Sequence, residues 1–193
     1  MKTLITFSLI LALSPLFALT PTWIKENVLP KSIKFQYAGN LGKYSGGFSY
    51  SFAKNKINTD IMLGYLQQNN SARDVHTLAV KVSGHAFKHD VNKNIEASFY
   101  GGIGVLYGLT HNTHAQLPDY YPEGYYPPTA FHLAPFLGHQ FSYKLKSISQ
   151  IEKIGFYHEW GTLDVYALHA MKNRTLNLHE ILNLAIGVHI VLK

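Results

Sequence analysis

The chain has 193 residues, of which 15% are charged and 13% aromatic, and its formal net charge is +6 at pH 7. It contains no cysteine, which excludes disulfide bonds, a thiolate nucleophile and a lipid anchor on cysteine. The basic residues are dispersed along the sequence, so no nucleic-acid partner is expected, and the length corresponds to one domain.

The first 18 residues have the organisation of a secretory signal peptide. A basic start is followed by an apolar run from Leu4 to Leu13 and by a small residue, Ala18, at the expected cleavage point. The apolar run is too short to cross a bilayer as a helix, and the alternative is a buried N-terminal helix. We predict a signal peptide over residues 1–18, a short lead over 19–31 and a folded domain over 32–193.

The clearest strand pattern is Tyr44 to Phe52, which follows a first predicted strand at 32–39 and a tight turn. Large aromatic side chains alternate there with serine and glycine. Successive strand side chains point to opposite faces, so one face is aromatic and the other is small and polar. This is the reverse of what a soluble protein's core needs, and it is typical of a strand between lipid and a narrow polar lumen.

Six further strands follow this hairpin. They are predicted at about 58–66, 75–84, 95–109, 129–145, 153–160 and 183–192. Pro135, inside the sixth strand, predicts a bulge, because proline cannot donate to a strand ladder. The total of eight strands predicts an all-β fold, an eight-stranded antiparallel transmembrane β-barrel.

The connections between the predicted strands are unequal. The connection at 110–128 is rich in proline and tyrosine, and the one at 161–182 contains a short amphipathic helical turn near Leu176 to Leu182. Connections alternate between the two ends of a barrel, so these two lie at the same end as 40–42 and 67–74. The connections at the other end are predicted near 54–57, 85–94 and 146–152.

In this pattern the chain resembles small eight-stranded bacterial outer-membrane β-barrel proteins of the OmpA/OmpX type, over about residues 32–192. Segments 157–164 and 175–187 also resemble the endings of a group of exported bacterial proteins to which no activity is attached. The resemblance implies a monomer in the outer membrane, with long loops outside the cell and both termini in the periplasm. Its implied partners are outer-membrane lipids including lipopolysaccharide, periplasmic chaperones and the barrel-assembly machinery. One departure is the ending Val191-Leu192-Lys193, where such barrels usually have an aromatic residue.

The inward faces of the predicted strands carry charges of both signs. Isolated ions in a narrow tube are costly, so these charges are expected to pair and to plug the barrel. The alternative is a selective channel, but eight strands leave an interior filled by side chains. The predicted lumen network comprises Lys34, Asp60, Lys81, Glu96, Lys144 and Glu159, accompanied by Gln36, Gln140, His132 and His189.

The best candidates for catalysis are His158 and Glu159, which follow Tyr157. They are adjacent in a strand, so they face opposite sides and cannot act together without a bulge. Lipid A deacylases built on similar barrels use a His-x-Ser pair, and the closest segment here, His139 to Ser142, has one residue too many. No catalysis is therefore expected, and a lipid-modifying outer-membrane hydrolase remains the alternative.

Histidines also suggest metal binding, in the pairs His111 with His114 and His85 with His89. Two imidazoles provide only half of a typical site, so neither a metal nor any other cofactor is predicted.

The predicted external loops contain the strongest candidate for ligand binding. Four tyrosines set among prolines would form an ordered aromatic surface for a glycan, a lipid headgroup or a protein, or else pack at the membrane interface. Asp164 and Arg174, with Glu159, are predicted to anchor the loops, and Gly161 and Thr162 to form the bend. A structural or adhesive role through these loops is the predicted function; a soluble lipocalin-like carrier would instead require apolar inward faces. The tyrosines are Tyr120, Tyr121, Tyr125 and Tyr126.

Overall fold

The computed structural model describes residues 29–53, 55–67, 74–110, 114, 130–145, 150–172 and 177–193. Residues Lys31–Lys193 form one unit, and Met1–Pro30 form another, of which only Leu29 and Pro30 are described. The predicted signal peptide and most of the lead lie outside the described residues. The strands of the larger unit are β1 (Ser32–Ala38), β2 (Tyr44–Phe52), β3 (Ile57–Leu66), β4 (Val75–Asp90), β5 (Ile95–Gly108), β6 (Phe131–Lys144), β7 (Ile151–Gly161) and β8 (Asn183–Leu192).

The eight strands form a closed barrel in which every strand is antiparallel to its neighbours. Pairing of β1 with β8, for example Lys34 opposite His189, closes the sheet. The all-β, eight-stranded antiparallel barrel predicted from the alternation is confirmed. We call the end that carries the β1–β2 turn the loop end, and the end that carries the β2–β3 turn the turn end.

Apart from two register shifts, in β4 and β7, side chains alternate between the two faces of the sheet. In β2 the aromatic residues Tyr44 and Phe48 are half exposed on the outside, while Ser45 and Ser49 are buried inside. The interior is mainly polar, with one apolar layer near the loop end. That layer consists of Leu41, Met62, Ala79, Leu106 and Ala134.

Strand β4 extends six residues beyond its predicted end. It continues to Asp90 because a register shift between His85 and Phe87 lets the pairing with β5 resume. The turn that was expected over 85–94 is therefore restricted to residues 91–94. Asn92 fixes this turn, since its Oδ1 accepts the backbone N–H groups of Asn94 and Ile95, both at 2.8 Å.

The predicted bulge at Pro135 is wrong. Pro135 pairs in regular register with Ile103, and the register shifts of the barrel lie elsewhere, between His85 and Phe87 and between Ile151 and Lys153. Pro135 lies one residue beyond the β6–β7 ladder, which begins at Phe136 opposite Gly161. On that side it has no strand partner, so its missing N–H costs no ladder hydrogen bond.

The described part of the connection between β7 and β8 contains two helices, where a single helical turn was predicted. They are α1 (Asp164–Lys172) and α2 (Leu178–Ile181). No residue of α1 is buried, which explains why hydrophobic periodicity does not reveal it. Within the described residues, no helix is both long and apolar enough to cross a membrane.

Candidate functional site

The centre of the barrel holds two buried ion pairs. Lys34 Nζ donates to Asp60 Oδ2 at 2.6 Å, and Lys81 Nζ donates to Glu159 Oε2. All four side chains are at most 6% exposed. Ions removed from water at this depth are tolerated only when they are paired and hydrogen-bonded, so the pairs hold the interior in one arrangement.

The first pair depends on the small inward face of β2. Lys34 is on β1 and Asp60 is on β3, so the lysine must cross the strand between them. Gly47 and Ser49 leave the room that this requires. A Cβ added at Gly47 would lie 2.7 Å from the Cα of Met62, which shows how closely the backbone of β3 approaches there.

The second pair spans the lumen from β4 to β7. Glu159 also accepts a hydrogen bond from the Tyr100 hydroxyl at 3.0 Å. Tyr100, Gly138 and Glu159 lie side by side on three neighbouring strands. The tyrosine reaches the carboxylate over Gly138, where an added Cβ would be 2.8 Å from the hydroxyl oxygen.

Tyr157 is the largest fully buried side chain of the barrel. Its hydroxyl donates to Gln36 Oε1 at 3.4 Å, and the ammonium of Lys34 lies 5.4 Å from the centre of its ring. Its neighbour across the ladder is Gly187, which provides space for the ring. The strand alternation places Tyr157 inside, on the same face as Glu159.

The remaining residues of the predicted lumen network lie closer to the turn end. Glu96 pairs with Lys153 at 3.0 Å, with both side chains 19% exposed. Lys144 pairs with Asp90 at 2.7 Å, and these side chains are 34% and 64% exposed. Lys144 is on the same face of β6 as the buried Ser142, and it lies at the rim because β6 ends there. Lys153 was absent from the predicted network, although it faces the same side of β7 as Glu159.

The two candidate catalytic residues lie on opposite faces of β7. Glu159 is buried inside the barrel, whereas His158 faces outward and is 3.3 Å from His139, measured from Nε2 to Nδ1. Trp160 packs edge-on against both imidazoles. His158 and Glu159 therefore cannot serve one reaction centre in this arrangement.

Asp164 connects α1 to the barrel. Its carboxylate lies 3.1 Å from His132 Nδ1 and accepts the backbone N–H groups of Leu133 at 3.2 Å and Val165 at 2.8 Å. Partial burial opposes ionisation of Asp164, but these hydrogen bonds prevail and lower its pKa. Glu159 has no part in this contact, so the predicted loop-anchoring group is divided between two places. The loop tyrosines Tyr120, Tyr121, Tyr125 and Tyr126, and also Arg174, lie outside the described residues.

The structure describes the histidine pairs considered for metal binding only in part. His85 lies in the barrel wall and contacts Asn58, His89 lies near the end of β4, and His111 lies outside the described residues. Among the described residues, no group of three or more histidine or acidic side chains is arranged to hold a metal ion.

Two cavities enter the barrel from its opposite ends. The loop-end cavity has a volume of about 20 Å³ and is lined by Lys81, Glu159 and Phe136 among others. The turn-end cavity has a volume of about 200 Å³, and Lys34 forms part of its lining. A cavity needs about 10–15 Å³ to hold one water molecule, so the loop-end cavity fits little more than one water. The turn-end cavity is about ten times larger and is lined mainly by polar side chains. The two buried ion pairs lie between the two cavities.

No protein-family model matches the chain, and a search of curated proteins found no match. The functional proposal therefore rests on the geometry of the barrel and on the sequence.

Proposed function

We propose that this protein is an outer-membrane β-barrel whose interior is closed by a polar plug. The observation that carries the proposal is the outer surface of the barrel. Every strand presents large apolar side chains outward that are about half exposed, including Phe35 in β1, Leu63 in β3, Leu137 in β6 and Val188 in β8. Charged and polar side chains are buried inside instead.

This distribution is unfavourable in water and favourable in lipid. Contiguous apolar surface on a soluble monomer rarely exceeds a few hundred Å², whereas here it surrounds the barrel. A closed barrel also has no unpaired strand edge, which is the condition for β-structure in a bilayer. The aromatic outer residues Tyr37, Tyr44 and Trp160 are of the type found where barrels meet the membrane interface.

The proposed orientation follows from the connections and from the N-terminal sequence. With eight strands, β1 begins and β8 ends at the turn end, where the described turns are short. The signal peptide predicted at residues 1–18 supports export, and insertion from the periplasm would leave the turn end there and the longer loops outside. On this proposal the partners are lipopolysaccharide and other outer-membrane lipids, with periplasmic chaperones and the barrel-assembly machinery during biogenesis.

The filled interior supports a structural or binding role for a monomer rather than transport. The buried pairs Lys34–Asp60 and Lys81–Glu159 occupy the space through which a solute would pass. A ligand or adhesion partner would therefore meet the loops, where Asp164 holds α1 against β6.

Membrane fractionation tests this proposal. We expect the protein to remain in the outer-membrane fraction after a high-salt wash and to be released by detergent. We also expect unboiled samples to migrate differently from boiled samples in gel electrophoresis, because a closed barrel resists unfolding by detergent alone. Release by salt without detergent would contradict the proposal.

A further inference from the structure

The turn-end cavity has an excess of basic side chains. Five lysines and two glutamates line it, and the glutamates are Glu96 and Glu152. Both glutamates lie close to one lysine, Lys153, at 3.0 Å and 3.7 Å. The lysines come from β1, β4, β7 and the segments flanking β1 and β8, so they surround the opening. They are Lys31, Lys34, Lys88, Lys153 and Lys193.

Two of these lysines have no acidic partner within ion-pair distance in the part of the chain that the structure describes. Lys34 is neutralised by Asp60, but no carboxylate among the described residues lies within ion-pair distance of Lys31 or Lys88. Lys88 Nζ donates instead to the backbone carbonyl of Asn55 at 2.7 Å. A neutral acceptor does not cancel its positive charge, so Lys31 and Lys88 are cations of the described cavity wall that remain available to a ligand.

The hydrogen bonds of the wall orient one histidine, His85, as a donor. Ser51 Oγ donates to Asn58 Oδ1, which leaves Asn58 Nδ2 to donate to His85 Nε2 at 2.8 Å. A neutral His85 must then carry its hydrogen on Nδ1. Elsewhere in the wall, Gln140 donates to Ser142 Oγ, which lies within hydrogen-bond distance of His189 Nε2, at 3.1 Å.

Both Nδ1 atoms are buried, and neither has a hydrogen-bond partner among the described residues. An N–H donor without an acceptor contributes positive potential to its surroundings, in addition to that of the lysines. The cavity wall is thus rich in donors and cations, while both lining carboxylates lie beside Lys153. This arrangement disfavours a cation and favours an anion with several acceptor oxygens.

We propose that the turn-end cavity binds a phosphate group, either as free phosphate or as the phosphomonoester of a larger molecule. Phosphate offers up to two negative charges and several strong acceptor oxygens, which suits a donor-rich wall and two lysines that form no ion pair with a described residue. The volume of about 200 Å³ exceeds that of a single-water site more than tenfold. The position of the site at the periplasmic mouth rests on the proposed membrane orientation, but the binding itself does not.

Isothermal titration calorimetry with inorganic phosphate tests the site. The protein used is the chain from residue 19 onward, without the predicted signal peptide, refolded in maltoside micelles. We expect saturable binding with one site per barrel, weakened by added salt because the attraction is between charges. Lys88→Gln and Lys31→Gln should each weaken the affinity by about tenfold or more. Lys43→Gln is the matched control, since Lys43 is exposed at the loop end, and should change the affinity less than about twofold.

Absence of saturable binding to the wild-type barrel would overturn the inference, as would wild-type affinity in both Lys31→Gln and Lys88→Gln. If one of these variants does not fold, the other carries the test. Titration with a short-chain phosphatidic acid identifies the source of the group: tighter binding than inorganic phosphate would support the site and assign it to a lipid headgroup. The titration uses a folded barrel in micelles, so a lack of phosphate binding would not contradict the proposed membrane location. Extraction of the protein by salt would contradict the membrane location without contradicting measured phosphate binding.

Discussion

Replacing Lys81 with methionine would break the ion pair across the lumen while preserving most of the side-chain volume. Both partners are 5% exposed, and Glu159 would retain one hydrogen-bond donor, the Tyr100 hydroxyl at 3.0 Å. Removing one partner of a buried ion pair costs about 3–5 kcal/mol. A hydrogen bond to a charged group contributes about 1.5–3 kcal/mol and remains in the variant, so we expect a loss of about 3 kcal/mol.

The same substitution at Lys144 is the control. Its pair with Asp90 has a similar length, 2.7 Å, but the two side chains are 34% and 64% exposed. Exposed ion pairs contribute at most about 1 kcal/mol, so Lys144→Met should be nearly neutral. The double variant Lys81→Met/Glu159→Gln removes both charges and keeps an acceptor for Tyr100, and we expect it to recover to within about 1 kcal/mol of the wild type.

Denaturant unfolding in detergent micelles, followed by tryptophan fluorescence, measures these free energies of unfolding. The reasoning would be refuted if Lys81→Met were within about 0.5 kcal/mol of the wild type, which is the range of an ordinary surface substitution. It would also be refuted if the double variant were less stable than Lys81→Met alone, because the cost would then not arise from the unpaired carboxylate.

Three other predictions concern the interior, the loop end and catalysis. Ser49→Trp should prevent folding, because the larger side chain would overpack the space beside Asp60. The control Phe48→Trp, on the outer face, should fold normally, as judged by heat-dependent gel mobility. Normal folding of both variants would contradict the inward assignment of Ser49. Asp164→Ala should increase the rate of hydrogen exchange in α1 but not in β6. Because the pKa of Asp164 is lowered in the folded protein, the stability that Asp164 contributes should be complete above its unfolded pKa of about 4. That stability should be lost as the pH falls through the lower pKa of the folded state. Equal exchange in the variant and the wild type would refute the anchoring role. Lipid A from cells with and without the protein should have the same acyl chains, and a lost or gained acyl chain would establish the enzymatic alternative.

The strands of the barrel were predictable because one simple period governs them. Each inward residue of β2 and β3 lies two positions from the next, so the small face of β2 and the position of Asp60 follow from alternation alone. The ends of the strands are harder to predict from the sequence. β4 continues past the expected turn because a register shift at His85 restores the pairing with β5, and no local residue pattern predicts such a shift.

The partners within the polar core were not predictable in the same way. Alternation places Lys34, Lys81, Asp60 and Glu159 inside, but the pairs that form depend on the register and closure of all eight strands. Lys34 reaches its partner across one strand, and Lys81 reaches its partner across the lumen. The exposed helix α1 lacked hydrophobic periodicity, and its only local signal was an acidic residue, Asp164, in its first turn with basic residues in its last.

Contact between the outer wall and lipid tests the central claim most directly. The sequence contains two tryptophans, so Trp23→Phe leaves Trp160, which faces outward from β7 and is 41% exposed. We expect the fluorescence of Trp160 to be quenched when the barrel is reconstituted in bilayers of lipids with brominated acyl chains, and to be protected from a water-soluble quencher. Quenching by the water-soluble agent without quenching by the brominated lipid would contradict a membrane-spanning barrel.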